Sequence, residues 1–258
     1  MDAVKWPEWR VINADCRAAL AEVADGSVHM VMTDPPYGHN QTDGDLASNL
    51  KRAMGDKDAP EHRRPILNDG FEEANEVFEF ALRECPRILV PGAVAAFCCG
   101  GGGGVDPQFA RWGLKIDEVL SFKHGVVWDK GPGGLGWHYR RQYEMVLIGQ
   151  KGGAPCRWFD DTKNVGNVIR PGEQGIRRLI PSATDHPTPK PWQLAAWFLR
   201  KHTLPGDLVV DPFAGAGWVG EACLRLGRRY LGIELDPHWA GVAQKRLRGI
   251  VEAEALWS

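Results

Sequence analysis

The apolar run Val28, Met30, Val31, Met32 leads directly into Thr33-Asp34-Pro35-Pro36-Tyr37-Gly38, and this junction constrains the chain more than any other stretch. Two successive prolines fix φ and remove two backbone donors, so a strand ends there and the loop that follows is rigid. The loop holds one carboxylate, one proline carbonyl and one aromatic ring in fixed relation at the carboxyl end of a strand, where open α/β sheets place their ligands. A flat base bearing an exocyclic amino group suits it, because the carboxylate and carbonyl accept hydrogen bonds from the NH2 while the ring stacks.

Around this junction the hydrophobic spacing predicts alternating strands and helices. Residues 9–14 read as a strand, 17–24 as a brief helix and 28–33 as a buried parallel strand, together a βαβ unit. Periodicity then disappears, and 38–68 reads as a long mobile loop. A helix over 71–88, stopped by Pro91-Gly92, precedes a strand over 93–99 and the run Gly100 to Gly104. Those glycines lack the Lys-Ser/Thr of a phosphate loop, so they read as a connection. A short helix over 107–112, a strand over 116–128 and another over 143–149 follow, and then an irregular segment. Its part from 152 to 184 is the expected target-recognition insertion. The last third predicts a helix over 191–202, a strand over 208–210, a glycine-rich turn, a helix through 226, a strand over 229–233 and a helix over 237–248. The expectation is one α/β domain over 1–258, a Rossmann-like doubly wound, mostly parallel sheet.

Composition narrows the function classes. With 43% hydrophobic and 25% charged residues and no apolar run near the roughly 20 residues that span a bilayer, the chain reads as a soluble cytoplasmic protein. The first ten residues show no signal-peptide pattern. Six dispersed cysteines form no Cys-x-x-Cys pair, which predicts neither a metal site nor a disulfide framework. The net charge of −2 excludes a uniformly basic coat, but charge is uneven. Residues 151–180 carry six bases against three acids, and 48–66 five against three. These segments are either two solvated loops or two basic arms that clasp a polyanion, with Arg52, Arg63, Arg64, Arg170, Arg177 and Arg178, and outside them Arg140 and Arg141, as the contacting candidates.

A second constellation lies far downstream at Asp211-Pro212-Phe213-Ala214-Gly215-Ala216-Gly217, followed one helix later by Glu234 at a strand end. Glycines let backbone approach a ligand, and an acid at the next strand end accepts from ribose hydroxyls. An acid at the glycine turn favours a cationic ligand over a pyrophosphate, and S-adenosyl-L-methionine has that charge.

These residues resemble an established family. Asp34-Pro35-Pro36-Tyr37 is similar to the catalytic motif of amino-group (adenine-N6 and cytosine-N4) DNA methyltransferases, and the segment from Asp211 to Gly217 to their cofactor motif. His186-Pro187-Thr188-Pro189-Lys190-Pro191 resembles the segment preceding the cofactor motif in the circularly permuted β group, whose order, catalytic motif first, is the order seen here. Val127-Trp128-Asp129-Lys130 and Gly232-Ile233-Glu234-Leu235-Asp236-Pro237 extend the likeness over nearly the whole chain. Trp218 departs from it, since a small hydroxyl residue is common after the second glycine.

The resemblance implies a class I methyltransferase fold and a site-specific enzyme that methylates duplex DNA from S-adenosyl-L-methionine without a metal. Asp34 and the Pro35 carbonyl would hold the target amine, Pro36 would stiffen the loop, and Tyr37 would stack on a flipped base. Asp at the first motif position leans toward adenine N6, with cytosine N4 as the alternative and a catalytically silent DNA-binding protein as the weaker one. Asp211, Phe213, Gly215 and Gly217 would line the methionine moiety, Glu234 would hold the ribose, Asp15 the adenine amine, and Thr188 and Lys190 would sit near the methionine carboxylate. Asp15 and Thr188 also fit helix caps, and Phe213 fits the core. Tryptophans 137, 192 and 197 fit either a homodimer face or a tryptophan-rich core.

Overall fold

The computed structural model describes residues 8–38, 66–100, 108–131, 138–140, 142–170, 172 and 190–255. Over these the chain runs β1 (Trp9–Asn13), α1 (Cys16–Ala21), β2 (Val28–Thr33), α2 (Phe71–Ile88), β3 (Leu89–Gly100), α3 (Gln108–Val119), β4 (Ser121–Asp129), β5 (Tyr143–Gln150), β6 (Val168–Ile169), α4 (Trp192–His202), β7 (Leu208–Asp211), α5 (Trp218–Arg225), β8 (Arg229–Glu234) and α6 (Pro237–Ala255). The strands form one sheet in the order β1-β8-β7-β2-β3-β5-β4-β6, in which only β5 runs antiparallel to its neighbours. This is the doubly wound, mostly parallel α/β architecture that the motif order predicts.

Alternation along each strand divides the core in two. Met30 and Met32 face α4, α5 and α6, whereas Val31 faces α1, α2 and α3. Apolar residues point both ways because helices cover both faces, which is why these strands read as continuous apolar runs. From β2 the chain winds toward β3, and from β7 it winds toward β8. The switch point therefore lies between β2 and β7, which pair through Met30 with Val209 and Val31 with Val210. The two motifs are distant in sequence and adjacent in the sheet.

Several boundaries differ from the sequence reading. Pro91-Gly92 does not stop α2; β3 begins directly after the helix, and the pairing slips between Val28–Leu89 and Met30–Val94, so the pair sits in a bulge where a missing donor is tolerated. Ile116 belongs to α3 rather than to a strand, because Trp112 and Ile116, four residues apart, are both fully buried on one helix face. α6 continues to Ala255, beyond the expected end at 248. The supposedly irregular 152–184 segment contains β6, which pairs with β4 and buries Ile169 completely.

Of the three tryptophans read as either a dimer face or core, Trp197 belongs to the core. Trp197 packs edge-on to Phe198 in the core, and half-buried Trp192 is covered by the Arg225 guanidinium at 4.9 Å. Trp137 lies outside the described residues. Among the described residues no helix is long and apolar enough to cross a membrane.

Candidate active site

β2 delivers Asp34 to the carboxyl edge of the sheet, and three residues from two separate segments immobilise the loop after it. The Asp69 carboxylate accepts from the amides of Tyr37 and Gly38 at 3.1 and 2.9 Å. The Gln108 amide, at the start of α3, donates to the Tyr37 carbonyl. Trp112 meets the Tyr37 ring edge-on with centroids 6.4 Å apart, is stacked on Phe78 at 4.0 Å and donates to Asn75. Backbone and ring of Tyr37 are thus both held from outside the motif.

Asp34 is engaged on both oxygens. The Tyr37 hydroxyl donates to Oδ1 at 2.6 Å, and the Lys190 ammonium donates to Oδ2 while lying 3.2 Å from the Tyr37 oxygen. Lys190 is buried and also faces Glu144 Oε2 at 3.3 Å; Glu144 Oε1 is paired with Lys130. The result is an alternating row: Asp34, Lys190, Glu144, Lys130. Burial pushes the Asp34 carboxyl up, against the opposing pull of Lys190. Burial would lower the Lys190 ammonium, but Asp34 and Glu144 hold it above the ordinary lysine range. Burial likewise works against the Glu144 carboxylate, which Lys190 and Lys130 nevertheless hold below its usual range. The Tyr37 phenol is pushed up by burial and by Asp34.

In the neighbouring turn after β7 the Arg246 guanidinium donates to the Ala216 carbonyl at 3.1 Å, but among the described residues no cation meets the turn's acid. Asp211 is fully buried and, among the described residues, accepts from the Thr33 hydroxyl at 2.6 Å, the Tyr230 hydroxyl at 3.3 Å and the Phe213 amide at 3.2 Å. Burial pushes its carboxyl up to about 7. Glu234 accepts from the amides of Gly215 and Asp236 at 2.8 and 2.9 Å, so it clamps the glycine turn to the end of β8; burial raises its carboxyl. Gly217 has φ of +79° and would place a Cβ 3.1 Å from Ala243 of α6, so a side chain there meets both strain and a helix.

A single cleft receives both turns. Its walls include Asp15, Asp34, Pro35, Pro36, Tyr37, Lys190, Phe213, Gly215 and Glu234, joined by Trp218 and Trp239. The lining carries five carboxylates (Asp15, Asp34, Asp69, Glu234 and Asp236) against Lys190 and Arg246, and with its aromatic faces it fits a ligand that carries positive charge, hydroxyls and a flat ring. Asp211 and Gly217 are not on the wall; they lie behind it and shape the turn that is. Lys190, expected beside the cofactor's carboxylate, is found on Asp34. Asp15 lines the cleft and also caps α1, accepting from the Arg17 amide at 2.8 Å and pairing with its guanidinium. Phe213 lines the cleft while packing on the core.

Arg140 and Arg170 are exposed, whereas Thr188, Arg52, Arg63, Arg64, Arg141, Arg177 and Arg178 lie outside the described residues. Among the described residues no cluster of His, Cys, Asp or Glu is placed to hold a metal. Cys98 and Cys99 are buried in the two cores; burial pushes the Cys99 thiol up to about 12 and Cys98 in the same direction. Neither is a ready nucleophile.

The sequence reading assigned no role to Glu144, Asp69, Gln108 or Tyr230. Glu144 left one trace, a lone acid at the start of the apolar run Tyr-Glu-Met-Val-Leu-Ile-Gly. Nothing in the sequence pairs Tyr230 with Asp211.

Comparison with known proteins defines the class. The chain belongs to the N6/N4 amino-group DNA methylases: the family model described as DNA methylase matches residues 28–245. It is similar to the Type II methyltransferase M.HinfI of Haemophilus influenzae, with 28% identity over 262 residues covering 93% of this chain and 68% of that protein. The solved structure of TTHA0409 from Thermus thermophilus, complexed with S-adenosyl-L-methionine, superposes with a TM-score of 0.63 at 26% identity, covering 93% and 94% of the two chains. The cytosine-N4-specific PvuII DNA methyltransferase shares the fold, with a TM-score of 0.68 at 19% identity and coverage of 94% and 89%.

Proposed function

We propose that this chain is a site-specific methyltransferase that moves a methyl group from S-adenosyl-L-methionine to the N6 amine of an adenine flipped out of duplex DNA. The observation that carries the reading is the pairing of β2 with β7, which opens Asp34 and the Glu234-clamped glycine turn into one cleft. Bound at that turn, S-adenosyl-L-methionine supplies an electrophilic methyl on a sulfonium. The cleft walls suit it: Glu234 for hydroxyls, Asp15 for an amine, and Trp218 and Trp239 for the ring.

An exocyclic amine is a poor nucleophile because its lone pair is conjugated with the ring. Asp34 and the Pro35 carbonyl would accept hydrogen bonds from its two N–H groups, draw nitrogen toward tetrahedral geometry and aim the lone pair at the methyl carbon. The Glu234-clamped turn would hold the sulfonium so that its methyl passes to the amine with the S–C pair kept by sulfur, and the methylated amine would shed one proton. A carboxyl raised by burial, as Asp34 is, is the better acceptor for it. The rigid loop is needed because the base leaves its stack at a cost of about a few kcal/mol, which a ring such as Tyr37 partly offsets.

The fold is shared with a cytosine-N4 enzyme and so does not choose the base; Asp rather than Ser at position 34 favours adenine. The exposed Arg140 and Arg170, with the basic segments around them, supply phosphate contacts in this reading. The protein would work in the cytoplasm on DNA. Incubation with labelled cofactor and unmethylated genomic DNA, followed by nucleoside analysis, is expected to place the label in N6-methyladenine. Label in N4-methylcytosine overturns the base assignment, and no label in any nucleoside overturns the reaction.

A further inference from the structure

We propose that Glu144 is a positioning residue that draws Lys190 off Asp34 when the target amine enters, so that the acceptor is kept occupied until then. The inference rests on Asp34 being the acceptor for that amine. Both Asp34 oxygens are taken, Oδ1 by the Tyr37 hydroxyl and Oδ2 by Lys190. Each oxygen keeps a lone pair, but the ammonium on Oδ2 neutralises the charge that would attract the amine, so the acceptor is strengthened if that partner withdraws. Tyr37 is pinned through its backbone by Asp69 and Gln108 and through its ring by Trp112, so its hydroxyl has little room. Lys190 is at the end of a long side chain with three rotatable donors.

A buried ammonium moves only to another anion, since an unpaired one is strongly disfavoured. The structure holds one at the right distance. Glu144 Oε2 is shut off from solvent and, among the described residues, takes no hydrogen bond, although Lys190 Nζ is 3.3 Å away. Its other oxygen is tied to Lys130, and β5 is fixed between β3 and β4, so the carboxylate is a stationary receiver. A short swing of Nζ turns the existing 3.3 Å ion pair with Oε2 into an aligned hydrogen bond and keeps Lys190 paired throughout. It leaves Asp34 Oδ2 with its full charge for the amine. Lys130 has the complementary task of holding Glu144 ionised and in place.

The test uses the full chain, labelled S-adenosyl-L-methionine and unmethylated genomic DNA. Glu144→Gln keeps the shape and removes the charge. It is expected to lower the single-turnover methylation rate about ten-fold or more, with dissociation constants for cofactor and DNA within about two-fold of wild type. In a Lys190→Met background, where there is no lysine to withdraw, the same substitution is expected to add no further loss. Rates within two-fold of wild type for Glu144→Gln, or losses that multiply in the double variant, overturn the proposal. Should Glu144→Gln fail to fold, Glu144→Met with Lys190→Met removes both charges together: a rate equal to Lys190→Met alone supports the proposal, and a lower one overturns it. A wild-type chain that methylates no DNA removes the underlying reading, whereas an active wild type with an undiminished Glu144→Gln removes only the role of Glu144.

Discussion

Asp34 and Asp211 end adjacent parallel strands and each is followed by proline, yet the two turns treat their carboxylates in opposite ways. Asp34 opens into the cleft and is matched by the buried Lys190. Asp211 is sealed behind the cleft and is met by two hydroxyls and an amide. Burial works against the charge in both places, but among the described residues a countercharge is present in only one. Position at a strand end thus brings a carboxylate to the site without deciding what it does there. In the proposed reaction Asp34 grips the target amine, while Asp211 works as a bracket that ties the end of β2, through Thr33, to the end of β7.

The contrast is broken most directly at Asp34. Asp34→Ala is expected to reduce methyl transfer about a thousand-fold or more, with cofactor affinity within about three-fold of wild type. Labelled-methyl transfer and calorimetric titration of cofactor measure the two. A variant that keeps a substantial share of its activity shows that the two aspartates do not divide the work in this way.

The next largest effect concerns Asp211 and pH. In the folded chain this carboxyl keeps its proton up to about pH 7, whereas its ordinary value is 3.8. Across that interval the folded state binds more protons than the unfolded one, so stability falls as pH rises. At ~1.4 kcal/mol per pKa unit, the wild type loses up to about 4 kcal/mol over this window relative to Asp211→Asn, which cannot titrate. Urea unfolding of both proteins at a series of pH values measures the difference. Parallel curves show that Asp211 has an ordinary carboxyl and that the contrast with Asp34 is not one of charge.

The smallest effect probes the bracket. Thr33→Val preserves shape but strips the 2.6 Å hydrogen bond from Asp211 Oδ1, and a buried acceptor left short of a donor costs about 1–3 kcal/mol. The loss appears in the same unfolding measurement. An unchanged midpoint means that Tyr230 and the Phe213 amide suffice to hold Asp211.

How far the site was legible in the chain follows from the range of each interaction. The Asp34-Pro35-Pro36-Tyr37 loop, the glycine turn after Asp211 and Glu234 are local patterns, set by proline stiffness, glycine freedom and strand periodicity, and they were readable where they stood. Pro91-Gly92 misled because a bulge absorbed what a straight strand could not. Residues 116–119 misled because a helix face of Trp112 and Ile116 resembles a strand when read without its partner surface. Lys190 was recognised as part of the site, but its contact with Asp34 was not, because a side chain of that length reaches any anion within its radius. Glu144 and Asp69 act across the fold on loops they do not adjoin, and no spacing rule connects them.

By itself, then, the sequence determined the two acid-bearing turns, the order in which they occur and the doubly wound sheet that carries them, since each depends on residues a few positions apart. Only the tertiary structure decided that the turns are neighbours, that Lys190 covers Asp34 and that Asp211 is left with hydroxyls. Those outcomes depend on β2 pairing with β7 and on charges brought together from four separate segments. Desolvation and Coulomb attraction act between such groups through space, whatever their separation along the chain.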